Sequence, residues 1–178
     1  MNGDQQDKTI WTIGHSTHTL DEFIDMLKSF HIDCVVDIRS FPGSRRYPHF
    51  NMEALEISLS ENSMKYIHLR GLGGRRKAQT DSVNTGWHNA SFRGYADYME
   101  TDGFKKTITE LESIAGKDRT AYMCSEAVWW RCHRSLVSDY LKIHGWTVRH
   151  IMGIGKDAVH EYTSPARIAG DHLFYGNE

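Results

Sequence analysis

The sequence predicts an α/β fold, and three observations predict it. Short apolar runs of strand length recur along the chain, and one of them is nearly all apolar rather than alternating. Between these runs, apolar residues return at three- and four-residue intervals, as on one face of a helix. Composition agrees: 39% hydrophobic with 25% charged residues over 178 positions is the balance of a globular chain with a core.

The elements follow in order. Ile10–Ile13 is a strand ending at Gly14. Thr19 with Glu22 three residues on is a capping box, opening a helix with Leu20, Phe23, Ile24, Leu27 and Phe30 on one face. Cys34–Ile38 is a buried strand, and a loop from Arg39 to Phe50 leads to Asn51, the expected cap of a helix carrying Met52, Leu55 and Leu59. Met64–Leu69 alternates as a strand. The stretch from Arg70 to Ser91 is irregular and rich in Gly, Arg, Asn and Thr. Tyr95, Tyr98 and Met99 begin a helical pattern that resumes at Phe104, Ile108 and Leu111 and stops at Gly116. Thr120–Cys124 is the fourth strand, Leu136, Val137, Tyr140 and Leu141 mark a helix closed by Gly145, and Trp146–Ile151 is the fifth strand. Beyond Gly153 no period is legible.

Alternating strands and helices at this spacing predict a three-layer Rossmann-like sandwich, a mostly parallel sheet of about five strands with helices on both faces. It is expected as one domain over residues 1–178, with its core at about 9–155 and a tail over 156–178. The opening stretch Met1–Lys8 is polar and lacks a signal-peptide pattern, no apolar run reaches membrane-spanning length, and the three cysteines form no even framework. A reducing, cytoplasmic setting without a membrane partner is therefore expected. The net charge of -2 gives no global pull toward nucleic acid.

In a parallel sheet, ligands bind beyond the carboxyl ends of the strands. Those ends carry Gly14-His15-Ser16-Thr17, then Asp37-Ile38-Arg39-Ser40 with Ser44 close behind. Arg70-Gly71-Leu72-Gly73-Gly74-Arg75-Arg76, Cys124-Ser125-Glu126, and His150 with Gly153–Lys156 follow. All five clusters are expected on one edge.

Thr12-Ile13-Gly14-His15-Ser16-Thr17, Asp37-Ile38-Arg39-Ser40-Phe41-Pro42-Gly43-Ser44, Leu72-Gly73-Gly74, Cys124-Ser125-Glu126 followed by Cys132-His133-Arg134, and His150-Ile151 together resemble the family of domain of unknown function 488. The likeness runs from Thr12 to Ile151. It implies an α/β fold and a shared site, and it implies no reaction.

Cys132-His133-Arg134 is expected to open the helix after the fourth strand. There the unpaired N–H groups, Arg131, His133 and Arg134 all favour a thiolate, so Cys132 reads as a nucleophile or part of an anion cradle. The bland alternative is a packing cysteine, with Arg134 paired to Glu126. Cys124 is either a structural thiol or a second reactive one, and Cys34 is core. Neither cysteine has an arginine six residues on, so the Cys-x5-Arg phosphate loop is absent. Glu126, Asp37 and His15 are the acid–base candidates, although Asp37 could simply pair with Arg39. A metal on His15, Cys124, Cys132 and His133 fits no closed zinc spacing, no metal site is assigned and no cofactor is named. Arg39, Ser40, Ser44, Gly73, Gly74, Arg75, Arg131, His133 and Arg134 are the candidate anion-binding residues. Interleaved Trp87, His88, Phe92 and Tyr95 suit a phosphate-bearing small molecule or nucleic acid. The expected function is an enzyme on such a substrate. A non-catalytic nucleic-acid- or ligand-binding module, and a thiol- or metal-dependent regulator, are the alternatives. Trp129 and Trp130 are either a stacking platform or packed loop hydrophobes.

Overall fold

The computed structural model describes residues 7–176, so residues 1–6 of the polar opening stretch and the last two of the tail lie outside the described residues. The elements are β1 (Thr9–Gly14), α1 (Leu20–Ser29), β2 (Cys34–Asp37), α2 (Met52–Glu61), β3 (Lys65–His68), α3 (Ala90–Met99), α4 (Asp102–Ala115), β4 (Thr120–Cys124), α5 (Arg134–Ile143), β5 (Thr147–Gly153), β6 (Lys156–Val159), β7 (Arg167–Ala169) and β8 (His172–Phe174). The main sheet runs β3-β2-β4-β1-β5-β6. Its first five strands are parallel and β6 closes one edge antiparallel to β5. The mostly parallel sandwich expected from sequence is what forms. The sixth strand and the separate β7–β8 hairpin went unread because their residues are mainly solvent-facing and show no burial period.

Local chemistry accounts for most element ends. Thr19 accepts from the Glu22 N–H while the Glu22 carboxylate accepts from the Thr19 N–H, the reciprocal box foreseen. Asn51 does precede α2, yet its Oδ1 accepts from the Ser44 N–H instead of capping the helix. The pattern from Tyr95 to Leu111 divides into α3 and α4, with Thr101 capping α4 through the Phe104 N–H.

The two sheet faces bury separate cores. Trp11, Ile13 and Val35 pack under Phe23, Ile24 and Leu27 of α1 and Leu55 and Leu59 of α2. Ile10, Val36 and Tyr122 pack under α3, α4 and α5. Alternate residues of one strand therefore feed opposite layers, the period-two consequence of the pleat. Topology then places the site. The crossover from β1 reaches β2 over one face, while α5 leaves the adjacent β4 for β5 over the other. Diverging crossovers from neighbouring strands open a crevice at their carboxyl ends. Among the described residues, no helix is long and apolar enough to cross a membrane.

Candidate functional site

A cleft of about 730 Å³ occupies that crevice. It is lined by His15–Thr17 after β1, by Arg39, Ser40, Phe41, Gly43, Ser44, Arg46 and Tyr47 after β2, and by Gly74 and Arg75 after β3. Cys124–Ala127 and Arg131–His133 after β4, with Ser91 and Phe92, complete the lining. Four of the five expected clusters meet there. The fifth does not: His150 is buried below, and Gly153–Lys156 forms the β5–β6 connection away from the cleft. A larger depression of about 1040 Å³ lies at the opposite end of the sheet, against Lys8, Glu112, Trp146 and Thr147. Its lining includes neither thiol nor imidazole.

The cleft floor is built on Cys132. Its Sγ lies 2.8 Å from Cys124 Sγ and 3.4 Å from His133 Nδ1, and all three cysteines are free. Burial pushes the Cys132 thiol up. The hydrogen bond with Cys124, the neighbouring Arg134 charge and the Arg134 backbone N–H outweigh burial, and Cys132 titrates below an ordinary cysteine. Cys124 goes the other way, held well above the usual range by burial and by Cys132, so it keeps its proton and acts as the donor.

His133 immediately precedes α5 without a side-chain cap, and its Nε2 lies 3.1 Å from the Ile38 carbonyl oxygen. A carbonyl only accepts, so Nε2 carries the hydrogen and Nδ1 turns its lone pair to Cys132. Burial lowers the His133 pKa, keeping the ring neutral and able to take the thiol proton. A Cβ on Gly74 would sit 2.5 Å from His133 Nδ1, which is why the loop after β3 carries glycine there. Gly73 falls just outside the lining and accepts from Arg76 Nε. Tyr95 and Tyr98 hold this loop by donating to the Leu72 and Gly71 carbonyls.

Arg134 is fully buried behind Cys132. Its Nη1 donates to Thr12 Oγ1 at 3.1 Å, and its Nη2 to the carbonyl oxygens of Glu126 (2.9 Å) and Ala127 (3.4 Å). The pairing considered for Arg134 and Glu126 thus runs through the backbone, and the Glu126 residue is exposed on the cleft wall. Among the described residues no carboxylate pairs with Arg134, and its Nε has no hydrogen-bond partner. A buried guanidinium without a carboxylate leaves the Cys132 sulfur as the adjacent group able to carry its counter-charge.

Arg39 and Asp37 form a pair instead of offering free groups. Arg39 Nη2 lies 2.6 Å from Asp37 Oδ2 and also donates to the Phe50 carbonyl, while Tyr66 Oη donates to the same carboxylate at 2.6 Å. Asp37 is fully buried and does not line the cleft, although Arg39 does. Ser40 Oγ accepts from the Arg75 N–H and Ser44 Oγ from the Tyr47 N–H, so both hydroxyls brace loops. His15 donates from Nδ1 to the Ser16 carbonyl and stacks on Phe50, and burial lowers its pKa to about 4. It is a neutral acceptor at the cleft wall.

Asp139 and His160 carry no signal in the sequence that ties them to the site, which they reach only through His150, Thr12 and Arg134, and Phe41 stands in the sequence only within the Asp37–Ser44 segment. Phe41 is 59% exposed and lies under the guanidinium groups of Arg70 (5.3 Å) and Arg75 (5.4 Å). The two tryptophans separate: Trp129 stacks on His150 at 4.3 Å, whereas Trp130 is half exposed. Arg76 and Arg93 are spent on loop carbonyls. Four arginines, Arg39, Arg46, Arg75 and Arg131, line the cleft against one acid, Glu126. Among the described residues no group of three His, Cys, Asp or Glu side chains is disposed to hold a metal ion.

A family model described as domain of unknown function DUF488 matches residues 19–141. No curated protein and no solved structure matches the chain.

Proposed function

For a chain that belongs to the domain of unknown function DUF488 family, we propose a cysteine-dependent enzyme in which Cys132 attacks a phosphate-bearing, nucleotide-like substrate. One observation carries this reading: the buried Arg134 guanidinium has no carboxylate partner and lies against a thiol that titrates below its usual range. Arg46, Arg75 and Arg131 supply charge for an anionic substrate, and Phe41, Tyr47 and Phe92 supply flat surfaces beside it. In the reaction, the Cys132 thiolate bonds through Sγ to the electrophilic atom, with His133 Nδ1 taking the proton from any Cys132 still in the thiol form. The bond to the leaving group breaks, and that group departs with the bonding pair and takes up a proton from solvent or from His133. Glu126, exposed on the wall, is positioned to activate the water that releases the covalent intermediate.

The experiment is intact-mass analysis after incubation with nucleotide and nucleic-acid substrates, beside product assays. A Cys132-borne adduct and turnover that vanish in Cys132→Ser, with slow release in Glu126→Gln, are the expected results. Unchanged turnover in Cys132→Ser ends the reading.

The arginine-flanked, exposed Phe41 favours a second reading, a non-catalytic module that stacks a base of single-stranded nucleic acid. It requires salt-sensitive binding whose slope falls by about one unit when Arg75 is removed, and no product from any substrate.

A further inference from the structure

Behind the cleft, a line of fully buried polar side chains runs from Arg134 across β1 and β5 to α5 and the tail. Arg134 Nη1 reaches Thr12 Oγ1 at 3.1 Å, and Thr12 Oγ1 meets His150 Nδ1 at 2.7 Å. His150 Nε2 meets His160 Nδ1 at 2.9 Å, and His160 Nε2 meets Asp139 Oδ1 at 2.8 Å. For neutral rings the direction follows from the carboxylate end. Asp139 only accepts, so His160 donates from Nε2 and turns the Nδ1 lone pair to His150. His150 then donates from Nε2 and accepts at Nδ1 from the Thr12 hydroxyl, whose oxygen also accepts from Arg134. Asp139 is completed by the Thr163 N–H and Oγ1 and by Tyr175 Oη. A cation stands at one end, an anion at the other, and two histidines between them are locked in matching tautomers. Trp129 lies flat on His150, with 3° between the ring planes.

We propose that His150, with His160 and Asp139, is a positioning residue of the site, orienting Arg134 through Thr12 so that its charge falls on Cys132. The inference rests on the reading of Cys132 as a thiolate nucleophile. It explains why a guanidinium without a carboxylate against it is held in one place, and why a hydrogen-bonded chain connects it to a carboxylate lying farther along α5. A merely structural staple makes a different demand. Burial keeps His150 neutral, so replacing it removes no charge. Any change in Cys132 ionisation must then travel through the placement of Arg134. The direct field of Asp139 has the opposite sign, because a carboxylate near a thiolate disfavours it. The other titratable groups facing Cys132 and Arg134 are Cys124 and Tyr122 from β4, Tyr95 from α3 and His133 at the start of α5, and none is altered by the substitutions below.

The experiment is the pH profile of iodoacetamide alkylation on the whole chain, with the modified residue assigned by peptide mass. Cys34, pushed up to about 11, and Cys124, higher than usual, leave Cys132 as the thiol that reacts near neutral pH. His150→Phe keeps a ring against Trp129 but breaks both hydrogen bonds. It is expected to move the alkylation profile of Cys132 to higher pH, slowing the reaction by about tenfold on the acid limb for each unit moved, with rates converging at alkaline pH. His150→Gln retains an acceptor and a donor in the same order and is expected to restore most of the rate. A folded His150→Phe with an unchanged profile overturns the inference and leaves the proposed function standing. Should His150→Phe lose its cooperative melt, Thr12→Val decides: slowed alkylation supports the chain and an unchanged rate overturns it. A wild-type Cys132 that titrates as a free cysteine overturns both readings. A responsive thiol with no turnover on any substrate ends only the enzymatic one.

Discussion

Gly14→Ala tests how tightly the cleft floor is assembled. Gly14 pairs with Cys124 in the β1–β4 ladder, where a Cβ would lie 1.7 Å from the Glu126 carbonyl oxygen, 2.7 Å from its carbon and 3.1 Å from Arg134 Nη2. Carbon and oxygen do not approach within about 3 Å, so the backbone must part by more than an ångström. The obstacle is a carbonyl rather than the end of a flexible side chain, so the strain cannot be relieved by a rotamer change. Overpacking of this kind costs about 3 kcal/mol, which for a chain of this length lowers Tm by roughly 6–12 °C. The displaced carbonyl is also the one that receives Arg134 Nη2, so alkylation of Cys132 at pH 6 falls with stability. Gly43→Ala is the control, because a Cβ there meets nothing within 4 Å in the same cleft. The assay is thermal unfolding by circular dichroism beside thiol labelling of both variants. A Gly14→Ala melt within about 2 °C of wild type, or equal losses in both variants, refutes the reasoning.

Three further outcomes follow from the same contacts. Diamide, which takes up two electrons and two protons, is expected to close a Cys124–Cys132 disulfide, leaving one labelled thiol in the denatured chain; three labels refute the proximity. Arg39→Gln strands the buried Asp37 carboxylate and should cost about 3–5 kcal/mol, read as a large fall in the urea midpoint. Burial lowers His15 to about 4 and His150 to about 2 from the usual 6.5, so between pH 6.5 and 4 the unfolded chain binds protons the folded chain refuses. Stability is therefore full above pH 6.5 and falls as pH falls, and His15→Gln should flatten the slope by up to about 1.4 kcal/mol per pH unit; an unflattened slope contradicts the burial argument.

Legibility followed the range of the forces involved. The Thr19–Glu22 box, the apolar faces of α1 and α5 and the buried run of β2 depend on neighbours a few residues away, and all were readable from the chain. So was the gathering of His15–Thr17, the Arg39–Ser44 loop, Gly74–Arg75, and Cys124–Ala127 with Arg131–His133, since a parallel sheet sends such ends to one edge, whereas the cluster after β5 stays apart. The Asp37–Arg39 pair stood in the sequence as an alternative, and burial decided in its favour.

The sequence by itself determined the alternation of strand and helix, the carboxyl-edge location of the cleft and the thiol-and-arginine character of its floor. Only the tertiary structure decided the strand order, the 2.8 Å approach of Cys124 to Cys132, the division of Trp129 from Trp130, and the line from Arg134 through Thr12 to His150, His160 and Asp139. Thr12 and His150 lie 138 positions apart and meet because β1 and β5 are adjacent in register. Hydrophobic periodicity is a local signal and specifies which face of an element is buried. Which buried polar group meets which depends on how the faces are stacked, a property of the assembled layers that no window of the chain contains.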